Sequence, residues 1–334
     1  MIRIAIDAMG GDFGPEPIIE GVIQALDEKS FFPILVGDRE QIISFLPQYY
    51  LDKVEIIDAT DVISMSDQAT QALKRKESSI YKAVELVRDN YADGVVSAGH
   101  SGATMTLATL RIGRLPHISK PALATIMPNK SVSAKTLLLD VGAVTDCTAK
   151  NLYEFAIMGE VYAQKLLGLR NPSVGLLSNG EEDSKGNALT KEAFKLMHDV
   201  PGFKGNVEGS DIFNGSVDVV VCDGYTGNIV LKASEGVVST VFDLMKTQIR
   251  KSIPAKIGAF MMKKKVFTKL KEKVDYAEYG GAPLLGVKGC AIISHGKSNA
   301  KAIKNAIFQA IAYNDSGVNK AIEELLTKTN AQGK

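Results

Sequence analysis

One local pattern recurs along this chain and restricts the folds open to it. A short run of apolar, often β-branched residues ends in Asp or Ser, a glycine follows, and apolar residues then return at helical spacing. Alternating strands and helices of this kind form parallel, doubly wound sheets. We therefore predict an α/β/α fold with a doubly wound, mostly parallel sheet, built as a single unit over residues 1–330 around a central cleft. The strands of the pattern end at Asp7, Ser97, Asp140, Ser178 and Asp223.

The clearest copy of the pattern is residues 92–104 (ADGVVSAGHSGAT). A strand with two valines enters a glycine-rich loop, and helix-compatible residues follow. The first N–H groups of a helix lack intrahelical acceptors and carry the positive end of the helix dipole, so such a loop can bind phosphate. The alternative is a helix N-cap with a tight turn and no ligand. The candidate anion-binding residues here are Ser97, Gly99, His100, Ser101 and Gly102.

A similar loop follows the first predicted strand. Asp7 precedes Gly10, Gly11 and Asp12, and open parallel sheets bind ligands at the carboxyl ends of their strands. These four residues are therefore further candidates for substrate binding. Asp12 can instead act only as the cap of the next helix.

The second half of the chain supplies two more polar loops. The loop after residues 174–177 carries Lys185, a cation that can bind phosphate or simply be solvated. The β-branched strand 217–222 leads into a second loop and then a helix. If the strand ends share one edge of the sheet, all these loops line one polar cleft. The candidates in this half are Lys185, Asn187, Asp223, Thr226, Gly227 and Asn228.

Composition excludes several classes of protein. The net charge is +1 over 334 residues, so no overall basicity favours nucleic acid. The three cysteines have no zinc-ligand spacing, which predicts no metal site of that kind. No signal peptide or long apolar run is present in the sequence, and we expect a cytoplasmic protein.

Residues 246–273 differ from the rest of the chain. They contain ten Lys or Arg residues against one Glu, interleaved with Phe, Met, Ile and Leu. A basic amphipathic helical segment suits an anionic membrane surface or an acidic protein. The alternative is a helical hairpin that packs on the body or on a second subunit. If the hairpin projects from a dimer, it can both pack on the second subunit and bind a membrane or an acidic partner. The membrane or partner candidates are Lys256, Phe260, Met261, Lys263, Lys264 and Lys265. Residues 328–334 are expected to fray.

Two other functions remain open from the residues alone. Residues 99–103 approach the nucleophile elbow of serine hydrolases, and Asp223 and His295 follow in the hydrolase order. That interpretation would make Ser101 a covalent acyl carrier with His295 as its base. A non-catalytic membrane-surface adaptor is the other alternative. No GxGxxG fingerprint is present, which argues against a Rossmann dehydrogenase.

Taken together, the motifs closely resemble the bacterial phosphate acyltransferases, from about residue 2 to residue 320. They are IAIDAMGGD (4–12), SAGHSGA (97–103), LDVGA (139–143), DSKGN (183–187), DGYTGN (223–228) and YGGAPLLG (279–286). The resemblance implies an isopropylmalate-dehydrogenase-like or phosphotransacetylase-like α/β/α fold. It implies that a fatty acyl group moves from acyl carrier protein to inorganic phosphate, giving acyl phosphate for phospholipid synthesis. It also implies a homodimer, peripheral association with the inner membrane face near the next acyltransferase, and no metal or nucleotide cofactor.

We expect direct attack of bound phosphate on the thioester, because phosphate is a competent nucleophile and thiolate a good leaving group. Ser101 and its loop would bind phosphate, helped by Lys185 and Asn228. The Gly10–Gly11 turn or residues 226–228 would bind the oxyanion, and His295 or Asp223 would manage protons. Acidic carrier protein would be steered by residues 74–76 or 246–273. This chain has His100-Ser101 where the family usually has Asn-Thr, and Val144 where it has Asn.

Overall fold

The structure, a computed structural model, describes residues 1–131, 135–274 and 280–332. Eleven strands in these ranges form one sheet with the order β3-β2-β1-β4-β11-β10-β5-β6-β9-β7-β8. The strands are β1 (Arg3–Asp7), β2 (Phe32–Gly37), β3 (Glu55–Asp58), β4 (Gly94–Ser97), β5 (Ala122–Pro128), β6 (Lys135–Leu139), β7 (Val174–Leu177), β8 (Phe203–Val207), β9 (Val219–Val221), β10 (Ala282–Leu285) and β11 (Cys290–Ile293).

Helices lie on both faces of this sheet. They are α1 (Glu16–Glu28), α2 (Arg39–Phe45), α3 (Ser79–Arg88), α4 (Ser101–Leu107), α5 (Ala149–Leu167), α6 (Ala188–Met197), α7 (Asp211–Asn214), α8 (Gly224–Arg250), α9 (Ile253–Met262), α10 (Thr268–Val274), α11 (Ala300–Ser316) and α12 (Val318–Gln332). Short 3₁₀ turns span Gln48–Lys53 and Ala69–Leu73, and π-helical turns span Ala108–Ile112 and Lys263–Phe267.

Two apolar cores hold the layers together, one on each face of the sheet. One core joins the sheet to α1, α5 and α11 through buried residues such as Ile19, Phe155 and Ile307. The other joins it to α3 and α4 through residues such as Val84 and Leu107. The strands between the two layers are almost wholly apolar, as expected for a sheet covered on both faces. The predicted α/β/α architecture with a mostly parallel sheet is confirmed.

Strand direction reverses inside the sheet. The strands β3, β2, β1, β4 and β11 run parallel to one another, as do β6, β9, β7 and β8. Three antiparallel pairings, β11 with β10, β10 with β5 and β5 with β6, separate the two sets. An odd number of reversals means that the two sets run in opposite directions. The carboxyl ends of β1 and β4 therefore lie at the opposite edge of the sheet from those of β6, β7 and β9.

Two stretches with helix-forming composition are each divided. Within residues 68–90, a 3₁₀ turn at Ala69–Leu73 ends well before α3 begins. The C-terminal stretch forms α11 and α12, because the chain turns at Gly317, in the left-handed conformation at φ +64°. Helix α12 continues to Gln332, and fraying of residues 328–334 stays a prediction. Tyr279, the first residue of the 279–286 motif, lies outside the described residues.

The helix α8 is the longest in the described chain, at 27 residues, and only its first turn is buried. A Cβ at Gly227 would overlap the carbonyl oxygen of Asp140, so glycine is needed for helix and sheet to approach this closely. In the next turn Val230 and Leu231 still pack against the core. Beyond them the helix leaves the body, and α9 folds back beside it. The predicted segment 246–273 thus begins in the last turn of α8 and forms the outer arm of a helical hairpin.

Candidate active site

The loops after β1, β4 and β11 lie side by side, and we call residues 8–14, 98–101 and 294–299 the first loop group. Its base is the carboxylate of Asp7, which is 2% exposed. The hydroxyl of Ser97 donates a hydrogen bond to Asp7 Oδ2 over 2.7 Å and accepts one from the Gly99 N–H over 3.0 Å. Burial raises the pKa of Asp7, although hydrogen bonds from Ser79 and Ser97 partly oppose the increase.

Glycine is required where the three loops meet. A Cβ at Gly10 would lie 2.7 Å from both Asp7 Oδ2 and the Gly99 nitrogen. The Asp12 N–H donates to the Gly296 carbonyl over 2.7 Å, which joins the first loop to the third. Asp12 does not cap α1, since the residue before that helix is Pro15 and no side chain caps it. The loops therefore form one backbone-lined surface over the buried carboxylate.

His100 begins α4 and fixes the orientation of the glycine loop. Its Nδ1 accepts a hydrogen bond from the Ala103 N–H at 3.1 Å, and its Nε2 lies 2.9 Å from the carbonyl oxygen of Asp67. These contacts require Nδ1 to be the acceptor and Nε2–H the donor. As the first two helical residues, Ser101 and Gly102 have N–H groups without an intrahelical acceptor. The exposed Ser101 hydroxyl lies beside them.

The second loop group consists of residues 140–148, 178–187 and 222–228, which follow β6, β7 and β9. The buried carboxylate of Asp140 accepts four backbone N–H bonds, from Leu123, Gly142, Ala143 and Val144, at 2.6–3.1 Å. Burial raises the pKa of Asp140, and these four bonds oppose the increase. The loop after β6 is thus wound around one carboxylate.

Three of the predicted residues in this group have exposed side chains, namely Lys185, Asn187 and Asn228. Asn187 caps α6 by accepting the Thr190 N–H at 2.9 Å. Asp223 caps α8 in the same way, with its two oxygens taking the Thr226 N–H and hydroxyl at 2.9 and 2.8 Å. The predicted polar loops are therefore also the N-caps that begin the helices.

The prediction that all these strand ends share one edge of the sheet is wrong, whereas the single cleft stays a prediction. The first loop group carries Asp7, Ser97, Ser101 and His295, whereas Lys185, Asp223 and Asn228 belong to the second, at the opposite edge. The hydrogen bonds described above link residues within each group. Strand alternation alone does not reveal an odd number of reversals, which is why the sequence suggested a common edge.

The predicted serine-hydrolase triad is not formed. In a triad the histidine donates its Nδ1–H to the acid, but His295 Nδ1 accepts the Lys297 N–H at 3.0 Å. Both oxygens of Asp223 are engaged in capping α8. The hydrolase order of residues in the sequence is therefore not matched by a hydrolase arrangement.

Sequence reasoning missed several residues that shape the site. Ser79 lowers the pKa of Asp7, and the carbonyl oxygen of Asp67 contacts the His100 ring. Both residues lie next to or within a stretch whose composition predicts plain helix. The basic run at residues 74–76 suggests solvated side chains, but the Arg75 guanidinium binds Asp61 and Asp67. The ion pairs of Arg75 depend on how residues 61–75 fold back on themselves, which the sequence does not show. Asp140 could have been found from the sequence. Like Asp7 and Asp223, it follows an apolar strand and shortly precedes a glycine.

The helical hairpin presents an apolar surface. Between α8 and α9 lies a groove of about 330 Å³, lined by residues that include Phe242, Ile249, Phe260 and Phe267. Phe260 and Met261 are 78% and 76% exposed, and Lys263, Lys264 and Lys265 follow them closely. No helix among the described residues combines the length and hydropathy needed to cross a bilayer.

Comparison with known proteins identifies the family. The family model described as "Fatty acid synthesis protein" matches residues 2–321. A phosphate acyltransferase of Sulfurovum sp. (strain NBC37-1) is 77% identical over 328 residues, covering 98% of this chain and 99% of that protein. A phosphate acyltransferase of Campylobacter jejuni subsp. jejuni (strain 81-176) is 57% identical over 331 residues, or 99% of this chain and 100% of that one.

Solved structures agree on the fold. A phosphotransacetylase from Streptococcus pyogenes superposes with a TM-score of 0.62 at 19% identity, covering 94% of each chain. A branched-chain phosphotransacylase from Enterococcus faecalis V583 gives 0.59 at 17% identity, covering 95% of this chain and 100% of that one. These likenesses confirm the phosphotransacetylase-like architecture, and the high identities confirm the resemblance carried by the motifs. The chain belongs to the phosphate acyltransferase family of fatty acid synthesis proteins.

Proposed function

We propose that this protein transfers a fatty acyl group from acyl carrier protein to inorganic phosphate, giving acyl phosphate for phospholipid synthesis. Family membership supports acyl transfer to phosphate. The observation that supports this location is the start of α4, where the N–H groups of Ser101 and Gly102 and the exposed Ser101 hydroxyl follow the glycine loop that Asp7 holds through Ser97. Such donors suit a phosphate dianion.

In the proposed reaction a phosphate oxygen attacks the thioester carbonyl carbon. A C–O bond forms, the C–S bond breaks, and the thiolate of the carrier's arm leaves and takes up a proton. Because phosphate already supplies the nucleophile, the protein mainly positions it and offsets its charge. Burial raises the pKa of Asp7, and the Ser97 hydroxyl donates to its carboxylate, which offsets part of the charge next to the glycine loop. No acyl-serine is formed.

The twist of the sheet can bring the second loop group to face the same cleft as the first loop group. Six strand-to-strand steps separate β1 from β9, and each step rotates the strand by roughly 20–25°. The summed rotation, about 130°, offsets most of the reversal in direction, so both sets of strand ends can face one cleft. We place Lys185, Asn187 and Asn228 on the far side of that cleft, where their exposed polar groups contact phosphate or the carrier's arm.

Further roles follow from this arrangement. The Gly10–Gly11 turn, which contacts the Gly99 loop, supplies N–H donors to the thioester oxygen, with residues 226–228 as the alternative. Thr226 and Gly227 then act by holding the start of α8 against Asp140. The exposed His295 protonates the departing thiolate. Asp223 is a helix cap whose oxygens are occupied, and we assign it a structural role.

We assign the helical hairpin to two partners. A second copy covers the apolar side chains on the outer part of α8, where Val237, Val241 and Leu244 are 49–63% exposed. The outer arm, with Phe260, Met261 and the lysines at 256 and 263–265, docks on an anionic membrane surface. The protein would then be a cytoplasmic homodimer held at the inner membrane face, where reactive acyl phosphate passes to a membrane acyltransferase.

The decisive experiment follows free thiol from acyl carrier protein charged with a fatty acyl thioester, with and without inorganic phosphate. The proposal predicts thiol release only with phosphate, and hydroxylamine should trap the product as the hydroxamate. Phosphate-independent release would contradict direct transfer. If acyl carrier protein gives no release while another acyl thioester does, the assigned donor is wrong.

A further inference from the structure

A segment between β3 and α3 lies against the first loop group, and we call residues 59–78 the strap. The carbonyl oxygen of Asp67 lies 2.9 Å from Nε2 of His100 and accepts its hydrogen bond. The Met65 methyl group lies 2.8 Å from where a Cβ at Gly296 would stand. The Cβ of Ala69 lies 3.1 Å from the corresponding position at Gly102. The strap thus contacts the glycine loop and the loop after β11.

The strap is held in place by Arg75. Its guanidinium donates to Asp61 at 2.7 Å, to Asp67 at 2.6 Å and to the Val62 carbonyl at 2.8 Å. Hydrogen bonding to Arg75 lowers the pKa of Asp61, as expected of a formed ion pair. Ile63 is 5% exposed and anchors the strap in the core. Met65 is therefore presented from an ordered turn.

The strap and the neighbouring loop carry apolar side chains that the fold leaves exposed. Met65 is 50% exposed, and Phe13, in the loop after β1, is 62% exposed. Phe13 follows Asp12, whose N–H binds Gly296, the residue that Met65 covers. Met65 thus contacts the position of this glycine, and the exposed Phe13 is the chain neighbour of the residue that binds its carbonyl group. Methionine is flexible and polarizable, and adapts to irregular apolar ligands.

We propose that Met65 and Phe13 form an apolar lip that takes the fatty acyl chain beyond its first few carbons and sets the preference for long chains. This inference rests on the proposed placement of acyl transfer at the first loop group. A thioester carbonyl held beside Ser101 must send its chain out past the margin of these loops. The apolar side chains of the lip contact the acyl chain there. The ion pairs of Arg75 hold the strap, and with it Met65, in place.

The test compares hexadecanoyl and butanoyl thioesters of acyl carrier protein as donors for Met65→Ala and Phe13→Ala. Each variant should lower the hexadecanoyl-to-butanoyl ratio of kcat/KM about fourfold for every methylene group of the acyl chain that it leaves in water. The effect should lie in KM for the long donor, because a non-reacting chain is bound equally in ground and transition states. Met65→Leu should retain the ratio. Leu110→Ala, at a site 61% exposed, is the matched control and should leave the ratio unchanged.

An unchanged ratio in both variants, or an equal fall in Leu110→Ala, would overturn the lip. The proposed function fails in a different way. If Ser101→Ala left the KM for phosphate unchanged, the site would be misplaced whatever the chain-length ratio showed.

Discussion

The Ser97 hydroxyl donates to the buried carboxylate of Asp7 over 2.7 Å, and the same hydroxyl accepts the Gly99 N–H. A strand-end carboxylate thereby sets the conformation of the glycine loop proposed to bind phosphate. Burying the Asp7 carboxylate costs free energy, because burial disfavours its charged form.

The raised pKa of Asp7 predicts a pH dependence of stability. Above the ordinary carboxyl pKa of 3.8, the unfolded chain loses this proton while the folded chain keeps it. The contribution of Asp7 to stability is therefore greatest at low pH and is lost as the pH rises through its folded pKa, at up to about 1.4 kcal/mol per pH unit. Urea unfolding at several pH values should show a shallower decline for Asp7→Asn. Parallel curves for the two proteins would contradict the raised pKa.

Helix α8 offers a matched pair of glycine substitutions. Gly227→Ala should destabilise the protein by about 3 kcal/mol, because the new Cβ overlaps the Asp140 carbonyl. Gly236→Ala meets nothing within 4 Å in the same helix, and should stabilise it by about 1 kcal/mol through helix propensity. Thermal or urea unfolding measures both. Equal effects would mean that the close approach at Gly227 is wrong.

His100 should be replaceable by a residue that caps without a ring. His100→Asn can accept the Ala103 N–H and should lose little stability, whereas His100→Ala should lose about 1 kcal/mol with the cap. Both variants lack the ring that binds the Asp67 carbonyl, so hydrogen exchange in the strap should increase in each. If Asn and Ala were equally destabilising, capping would not be the role of this side chain.

The outer arm of the hairpin should control membrane binding without affecting chemistry. Phe260→Asp combined with Met261→Asp removes exposed apolar surface and adds negative charge to this arm. We expect loss of sedimentation with anionic vesicles and unchanged phosphate-dependent turnover in solution. Leu196→Asp, on the body at 43% exposure, is the control and should still bind. Retained vesicle binding by the Phe260→Asp, Met261→Asp double variant would refute the membrane role.

The apolar face of α8 should control assembly. Val241→Asp with Leu244→Asp places charges on a face that a second copy would bury, at sites 49% and 60% exposed. We expect the mass from sedimentation equilibrium to fall from that of a dimer to that of a monomer. A monomeric parent protein, or a dimer that survives both charges, would contradict this interface.

Strand alternation and glycine loops are enough to predict the fold class, since apolar runs ending in Asp or Ser mark strands wherever they occur. The antiparallel pairings at β10 and β5 are not predictable, because short apolar strands look alike in either direction. The polar loop residues can be found, but not their separation into two groups. A capping residue such as Asp223 and a ligand-binding one have the same signature, an Asp or Asn before a helix.

The strap shows that local helix propensity does not predict a segment held by tertiary ion pairs. Residues 68–90 have helix-forming composition, yet residues 74–78 form a loop between the 3₁₀ turn and α3, where Arg75 binds Asp61 and Asp67. Tertiary ion pairing overrides local preference here. The family resemblance is more informative than any single motif because six short motifs in order are far more specific than one.

The KM for inorganic phosphate of Ser101→Ala tests the central claim most directly, with Ser44→Ala, another exposed helical serine, as the control. Direct transfer at the first loop group predicts that losing one hydroxyl donor raises the KM for phosphate about tenfold. Turnover at saturating phosphate should then be largely retained, and the control should match the parent protein. Loss of turnover at all phosphate concentrations, together with an acyl group recovered covalently on Ser101 of the parent protein, would contradict the account.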